Sequence, residues 1–444
     1  MSNCCKPKIG VLLYSNNGLR RSGAGTPDGT YEERMKRPES LTLEALGAFA
    51  ETVSAGIVYD RAGLDAAMSL FLAEKVDGVY VQYLSWAPDA LWMRFERDMP
   101  ELPVLFASVV PERIPFENTF SANDSVAANT VRGLVGSLQA SGSIARMDRP
   151  MTETVLGTLD EVMWSTYVDG FSLFRYVGPE MKVLANATVR REMDNVSDGD
   201  VASAVTELKS RYSMMDDVDE DKLAASVRAS LAVDRCAAAM GADYVVMNDL
   251  DNVMHRELGL RPGFLPCPGG HGIAATPEGD VGAGTAAYIL RLLSGRPAQV
   301  VEPGYINPDT GLVDVGHGGP NDYTDPEAKV VIAKDTRLLN ADVKYPGAAF
   351  AWQVLAPGVK TLLHLSQCEG GYKMAFTIAE EQEVDFFHAS FCHGRLKMLT
   401  GTAEEVFGKL LGFGTTQHYA IVSGDFRAEL RELARIMGFQ WLEV

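Results

Sequence analysis

Long apolar runs are absent from this sequence. No stretch approaches the ~18 to 20 apolar residues that a membrane-spanning helix needs. The opening residues, MSNCCKPKIGVLLYSNN, contain no apolar signal core followed by a small-residue cleavage site, and KIGVLLY is short enough to be a buried first strand. We therefore expect a cytoplasmic protein without a membrane partner.

Clusters of basic residues and cysteine pairs with metal-site spacing are also missing. The 40 Lys and Arg residues are scattered and are outnumbered by 59 Asp and Glu residues, which gives a formal charge of −19. A field of this sign repels nucleic acid and anionic membrane surfaces, so neither is an expected partner. The six cysteines include no CxxC pair. We therefore expect free thiols rather than a structural zinc site.

Internal repeats and low-complexity segments are absent as well, and 444 residues are long for a single core. Residues 1–150 alternate short apolar runs with amphipathic ones, which predicts a doubly wound, Rossmann-like α/β domain with a parallel sheet. Residues 151–300 predict a second, middle α/β domain of this type. Residues 301–444 contain short β-rich runs separated by Pro and Gly, which predict a mostly antiparallel β domain.

A polar, Gly-rich and positively charged stretch, residues 16–40, follows the first predicted strand. Loops of this length are usually functional or disordered. Ligands of open α/β sheets bind at the carboxyl ends of the strands, so Arg20 in this stretch is a candidate substrate contact. Trp86 follows another predicted strand and is a second candidate, because its ring can stack on a substrate. Burial of Trp86 in the core is the equal alternative.

Three turn-rich places combine side chains that can bind metal ions. They are the loop Glu278-Gly-Asp280 before a predicted helix, His317 between glycines at a strand end, and His418 after a Gly-rich turn. Carboxylates with one or two imidazoles suit Mn²⁺, Co²⁺, Mg²⁺ or Fe²⁺ better than a closed zinc site. Structural roles are the alternative: Glu278 and Asp280 can cap the following helix, and a His beside glycines can be a hydrogen-bonded turn group.

The same three places resemble motifs of the L-fucose/L-arabinose isomerase family. EGDVGAGTAAYILRLLSGRP at 278–297 resembles the family's E-x-D…G-A-L-T…L-S-G-x-P segment, and VGHGGP at 315–320 resembles its H-x-G-x-x-P-type turn. GTTQHYAIVSGD at 414–425, followed by LRELA and MGF, is similar to its terminal H-H…G-D signature. These motifs cover about residues 240–444, and the N-terminal half is similar only in texture.

The resemblance implies an enzyme that interconverts an aldose and a ketose through a cis-enediol. It implies one divalent cation, usually Mn²⁺, with Co²⁺ or Mg²⁺ as alternatives. Asp280 falls on a metal-binding and catalytic carboxylate of the middle domain, and His418 on the metal-binding His of the last domain. His317 falls on a further His ligand, and we also expect it to contact the substrate.

Two features depart from the family pattern. The terminal His pair is Gln417-His418 here, and the carboxylate expected upstream of the E-x-D loop has no clear counterpart. Glu257 is the nearest candidate for this second catalytic and metal-binding carboxylate, with Asp249 and Asp251 as alternatives. The departures affect the assignment of acid and base more than the metal site.

The resemblance also implies a homo-oligomer, a trimer or hexamer, in which the N-terminal domain of one subunit closes its neighbour's site. The substrate is a sugar, either neutral or carrying an anionic group that the basic stretch 16–40 would suit. One alternative is a non-catalytic sugar-binding protein on the same scaffold, because a fold does not fix a function. The other is a nucleotide-binding enzyme, but GDVGAG at 279–284 fits neither common phosphate-loop pattern.

Overall fold

The computed structural model describes residues 6–108, 122–147, 181–250, 254–259, 275–335, 342–384 and 392–444. The strands are β1 (Lys8–Tyr14), β2 (Glu51–Val58), β3 (Gly78–Tyr83), β4 (Val104–Ala107), β5 (Ser213–Met214), β6 (Val245–Val246), β7 (Ala275–Thr276), β8 (Gln299–Ile306), β9 (Val313–His317), β10 (Lys329–Lys334), β11 (Ala349–Val354), β12 (Gly358–Cys368), β13 (Gly371–Glu381), β14 (Cys392–Met398), β15 (Tyr419–Ser423) and β16 (Gln440–Glu443). The helices are α1 (Tyr31–Gly47), α2 (Arg61–Glu74), α3 (Ala90–Asp98), α4 (Ala122–Asn129), α5 (Gly133–Met147), α6 (Asn186–Asn195), α7 (Asp198–Arg211), α8 (Glu220–Ala239), α9 (Val281–Ser294), α10 (Ala403–Phe413) and α11 (Arg427–Met437).

The N-terminal unit is a parallel sheet with helices between its strands. The strand order is β2-β1-β3-β4, and every pairing is parallel. Alternate residues of β1 pack into different cores: Leu12 and Tyr14 lie in one, and Val11 and Leu13 in the other. Because both faces of β1 are covered, the strand is a continuous apolar run rather than an alternating one.

Helix α1 begins at Tyr31, inside the stretch 16–40 that we predict as a loop, so that prediction is too long. Thr30 and Glu33 form a reciprocal capping box, which satisfies backbone donors at the helix start. Tyr31 and Met35 are fully buried and hold the first turns of the helix against the sheet. The irregular part that follows β1 therefore ends at residue 30.

The C-terminal half is built around an antiparallel barrel. The order β13-β12-β15-β8-β9-β14 is antiparallel at each step, and a further antiparallel pairing of β13 with β14 closes the ring. Strands β11, β10 and β5 extend the sheet from β14, and β16 extends it from β13. The predicted combination of a parallel α/β part with a mostly antiparallel β-rich part is confirmed at this level. The barrel includes β8, which starts at Gln299, just before the predicted boundary at 301.

The middle segment contributes helices α6, α7 and α8 and the short parallel pair β6–β7 within its described residues. Its core joins the buried faces of these helices to residues of β10 and β11, among them Ile332 and Ala351. Asp219 caps α8, so the acidic stretch before this helix is a helix start. In the described ranges, no helix combines the length and the apolar character that crossing a membrane requires.

Two helices connect these units to the barrel. Helix α9 packs on β12 and β15, where Ala283, Ala286 and Leu290 share a core with Leu363 and Ala420. Helix α5 lies between β3 of the N-terminal sheet and β8 of the barrel.

Glycines allow α5 to approach β3 closely. A Cβ atom at Gly133 would lie 2.3 Å from the carbonyl oxygen of Tyr83, and one at Gly136 would lie 2.3 Å from its ring. The N-terminal sheet and the barrel are therefore joined through a helix face that tolerates no side chain at these positions.

Candidate metal centre

Two carboxylates and two imidazoles converge at one end of α9. Glu278, Glu302, His317 and His418 each offer a ligand atom, and these atoms all lie within 4.8 Å of one another. Across the ranges that the structure describes, this is the only such group of His, Cys, Asp and Glu residues. Its members are separated widely in sequence, so the barrel topology brings them together.

Three neighbouring barrel strands supply three of these residues. Glu302 lies in β8 and pairs with Gly316 of β9, so His317 follows at the end of the adjacent strand. His418 directly precedes β15, whose first residue Tyr419 pairs with Val301 of β8. The strand register therefore aligns the three side chains at one level of the barrel.

Glu278 reaches the cluster from the turn between β7 and α9. Its φ of 61° is left-handed, which only Lys75 shares among the described residues other than glycine. Such a conformation costs about 1–3 kcal/mol and persists where the surroundings enforce it. Here the backbone N–H of Glu278 donates to the buried carboxylate of Asp249. The turn is thus held in a strained form that points the Glu278 side chain inward.

His418 is oriented by Asp280. Its Nδ1 lies 2.8 Å from Asp280 Oδ2, while its Nε2 is 3.4 Å from Glu278 Oε2 and 3.6 Å from Glu302 Oε1. Asp280 Oδ1 accepts from the backbone N–H of Ala283 at 2.9 Å and caps α9. A carboxylate behind a His fixes the ring and its tautomer and raises its basicity as a ligand. Asp280 therefore both caps the helix and orients the imidazole.

The charge state of His418 follows from these neighbours. Burial alone lowers its pKa, but the contacts with Asp280, Glu278 and Glu302 outweigh burial and raise the pKa well above its ordinary value. In metal-free protein the imidazolium therefore balances part of the carboxylate charge. A cation that binds Nε2 must displace this proton.

His317 completes the cluster. Its Nε2 lies 3.2 Å from Nε2 of His418 and 3.7 Å from Glu278 Oε1. Its Nδ1 accepts from the backbone N–H of Gly319 at 3.0 Å. Coordination of a cation through Nε2 requires the imidazole proton to be on Nδ1. Nδ1 would then no longer accept from the Gly319 N–H and would need an acceptor of its own.

The donor set fits a divalent cation. Oxygen and nitrogen ligands from two Glu and two His suit first-row ions such as Mn²⁺ and Co²⁺. Glu278 is 8% exposed at its side chain, and its buried Oε2 makes a 3.4 Å contact with His418 Nε2 that lacks good hydrogen-bond geometry. A poorly satisfied carboxylate oxygen at this depth is costly, and a bound cation would satisfy it.

The structure brings together two of the four predicted metal ligands, His317 and His418. Asp280 lies one step behind, because both of its oxygens are engaged by His418 and by the start of α9. Glu257 is placed elsewhere: its side chain is 56% exposed, and it pairs with Arg190 at 3.4 Å. The carboxylates that meet the histidines are thus Glu278 and Glu302, which corrects the predicted set.

The alternatives to Glu257 have different positions. Asp249 is fully buried and supports the Glu278 turn without being a member of the cluster. Asp251 lies outside the described residues.

The two predicted substrate contacts in the N-terminal unit are not members of the cluster. Arg20 forms an ion pair with Glu32, and its guanidinium lies 4.8 Å from the centroid of the Tyr59 ring. Trp86 is half-buried after β3, and its indole N–H has no hydrogen-bond partner. A contact of either residue with substrate stays a prediction.

Glu302 is the ligand candidate that sequence reasoning missed. It lies in the run QVVEPGYI, whose other residues are apolar, Gly, Gln or Pro. A carboxylate inside a buried strand is rarely tolerated without a partner, and this was the available signal. The E-x-D loop also points to Glu278, for which capping of the following helix is the alternative role; in the structure Asp280 caps α9.

A cavity of about 820 Å³ borders the same turn at Gly279. Tyr244, Asn248, Gly279 and Tyr288 contribute to its lining, and none of the four cluster residues does. Most of its other lining residues are Val, Met, Ala and Leu, which suit an apolar group better than a sugar or a cation. The chemistry is therefore concentrated at the cluster.

Comparison with known proteins gives no match, either to a protein-family model or to a curated protein.

Proposed function

We propose that this chain is a metal-dependent isomerase that interconverts an aldose and a ketose through a cis-enediol. The observation that carries the proposal is the buried cluster of Glu278, Glu302, His317 and His418. The three motifs that resemble the L-fucose/L-arabinose isomerase family supply the reaction class. Two of these motifs contribute His317 and His418, and the third contributes Glu278 and Asp280.

The four cluster residues would hold the cation, with Mn²⁺ as our first choice and Co²⁺ or Mg²⁺ as alternatives. When bound, such a cation polarises a carbonyl group and stabilises an enediolate. Asp280 keeps Nε2 of His418 turned toward the centre by holding its Nδ1 proton.

Moving a proton between C1 and C2 of a sugar requires a base near the carbon and a second group for the hydroxyl protons. Glu278 and Glu302 are the carboxylates of this site that face the histidines. We assign the carbon-bound proton to Glu278, which reaches the cluster from the strained turn before α9. Glu302 then handles hydroxyl protons. Asp280, our first choice from the sequence, has both oxygens engaged and is assigned an orienting role.

The proposal extends to the domains and the assembly. We propose that residues 1–150 and 151–300 are doubly wound, Rossmann-like domains and that residues 301–444 form the third domain. A cytoplasmic homo-oligomer, a trimer or hexamer, would place Arg20 and Trp86 of one subunit near the site of a neighbour. Both residues lie near the carboxyl ends of parallel strands, which supports a ligand-binding role for this edge.

The test is a screen of aldoses and ketoses with metal-stripped protein to which Mn²⁺ is returned. In deuterated solvent, NMR should show ketose formation together with deuterium at the carbon that exchanges its proton. Glu278→Gln should abolish both, and Glu257→Gln is the matched control because Glu257 is half exposed and outside the cluster. Sugar binding without any exchange would instead support a non-catalytic sugar-binding protein.

A further inference from the structure

One arginine of the N-terminal unit reaches the proposed metal centre. Arg132 lies between α4 and α5, and its Nη2 is 3.2 Å from Glu302 Oε2. The same nitrogen donates to the carbonyl oxygen of Gly316 at 3.2 Å. The side chains of Arg132 and Glu302 are only 13% and 11% exposed, so water screens this ion pair weakly.

The contact leaves one oxygen of Glu302 for the centre. Arg132 occupies Oε2, and Oε1 is directed to His418 Nε2 at 3.6 Å. The guanidinium is a rigid planar donor, so it restricts rotation of the carboxylate more than a flexible ammonium would. Gly316, its second acceptor, immediately precedes His317. One side chain thus ties together a ligand candidate and the strand end that carries another.

The packing around Arg132 leaves room for this position. A Cβ atom at Gly304 would lie 3.3 Å from Arg132 Cζ, so this glycine gives the guanidinium its space beside β8. A second contact from the same unit reaches the His418 turn, because the hydroxyl of Ser141 in α5 donates to the carbonyl oxygen of Thr415 at 2.9 Å.

We infer that Arg132 is a positioning residue for the metal centre, holding Glu302 so that Oε1 faces the cation. The inference rests on the proposed function insofar as a cation binds the cluster. Two effects of removing Arg132 compete. Loss of a positive charge favours cation binding, whereas loss of carboxylate orientation opposes it. We expect orientation to dominate, because an outer partner of a metal ligand typically affects metal affinity about 10- to 100-fold.

The experiment is a titration of metal-stripped protein with Mn²⁺ alone, followed by the EPR signal of the free ion and by calorimetry. Arg132→Gln should weaken Mn²⁺ binding about 10- to 100-fold, and Arg132→Lys should weaken it less because an ammonium group can still donate to Glu302 Oε2. Arg228→Gln is the matched control. Arg228 also binds one carboxylate and one backbone carbonyl, those of Asp198 and Val196. It lies on α8 and contacts no residue of the cluster through these bonds. The control variant should bind Mn²⁺ like the parent protein.

A double-variant cycle separates positioning from general stability. In a Glu302→Gln background, Arg132→Gln should cause no further loss of Mn²⁺ affinity, since its effect passes through Glu302. Each of four results would overturn the inference. They are a full additional loss of Mn²⁺ affinity in that background, unchanged Mn²⁺ affinity in Arg132→Gln, tighter Mn²⁺ binding in Arg132→Gln, and failure of both Arg132 variants to fold. Absence of Mn²⁺ binding in the parent protein would overturn the proposed function as well, so the two failures are distinguishable.

Discussion

The contact between Asp280 and His418 gives the most specific expectation for a single change, Asp280→Asn. The Asn oxygen can keep the helix cap by accepting from Ala283, because Asn and Asp are equally good caps. The amide NH₂ then faces Nδ1 of His418 and donates to it. This reverses the tautomer, places the imidazole proton on Nε2 and blocks the nitrogen that faces Glu278 and Glu302.

The size of the effect follows from the contact that is lost. A hydrogen bond to a buried charged group contributes about 1.5–3 kcal/mol. Loss of an outer-shell partner typically lowers metal affinity about 10- to 100-fold, which corresponds to about 1.4–2.7 kcal/mol. The two ranges agree. Asp280→Asn should therefore raise the Kd for Mn²⁺ by about one to two orders of magnitude while the fold is retained.

The assay is calorimetric titration with Mn²⁺, accompanied by a thermal melt in EDTA. Asp60→Asn is the control, because Asp60 caps α2 through the same kind of contact with the backbone N–H of Gly63 but lies in the N-terminal unit. It should bind Mn²⁺ like the parent. If the parent binds Mn²⁺ and Asp280→Asn binds it equally well, the orienting role of Asp280 is refuted.

Three further expectations concern the same site. His418→Gln should lose most Mn²⁺ affinity with the fold intact, and adding Asp280→Asn should then cost little more turnover, because the two groups act as a unit; near-normal activity in His418→Gln would make this His structural. Glu278→Gly should raise the melting temperature of metal-free protein while abolishing turnover, since it relieves the left-handed φ of 61°; a lower melting temperature would contradict the strain argument. Metal-free protein should lose stability as pH rises above about 6.5, because the pKa of His418 is raised in the folded state. The resulting stabilisation is complete below 6.5 and is lost as pH rises through the pKa of the folded state. Thermal melts in EDTA across this pH range measure the loss, and Asp280→Asn should make stability less dependent on pH.

Local pattern was enough for the elements that fold on their own signals. The parallel N-terminal strands follow from short apolar runs such as Lys8–Tyr14, and α8 follows from its cap and its apolar spacing. The start of α1 was missed although Thr30 and Glu33 form a capping box, because the surrounding residues are polar and rich in glycine. The closure of the barrel through β13 and β14 depends on long-range pairing, which no local pattern encodes.

The candidate site was predictable only in part, for a similar reason. His317 and His418 stand beside glycine turns and resemble family motifs, so the sequence indicated both. Glu302 stands out as a carboxylate in an otherwise apolar run, but its approach to the histidines depends on the strand register that places it opposite Gly316. Glu257 was selected by its position along the chain, and position does not reveal that its carboxylate faces solvent beside Arg190.

The central claim is that four residues of this chain form one divalent cation site, and counting bound ions tests it most directly. Equilibrium dialysis of metal-stripped protein against Mn²⁺, with elemental analysis of the protein chamber, should give one ion per chain. The double variant Glu278→Gln, Glu302→Gln should bind none at the same concentration while its thermal melt shows a folded protein. A parent protein that binds no Mn²⁺, Co²⁺ or Mg²⁺, or a double variant that binds Mn²⁺ as the parent does, would contradict the account.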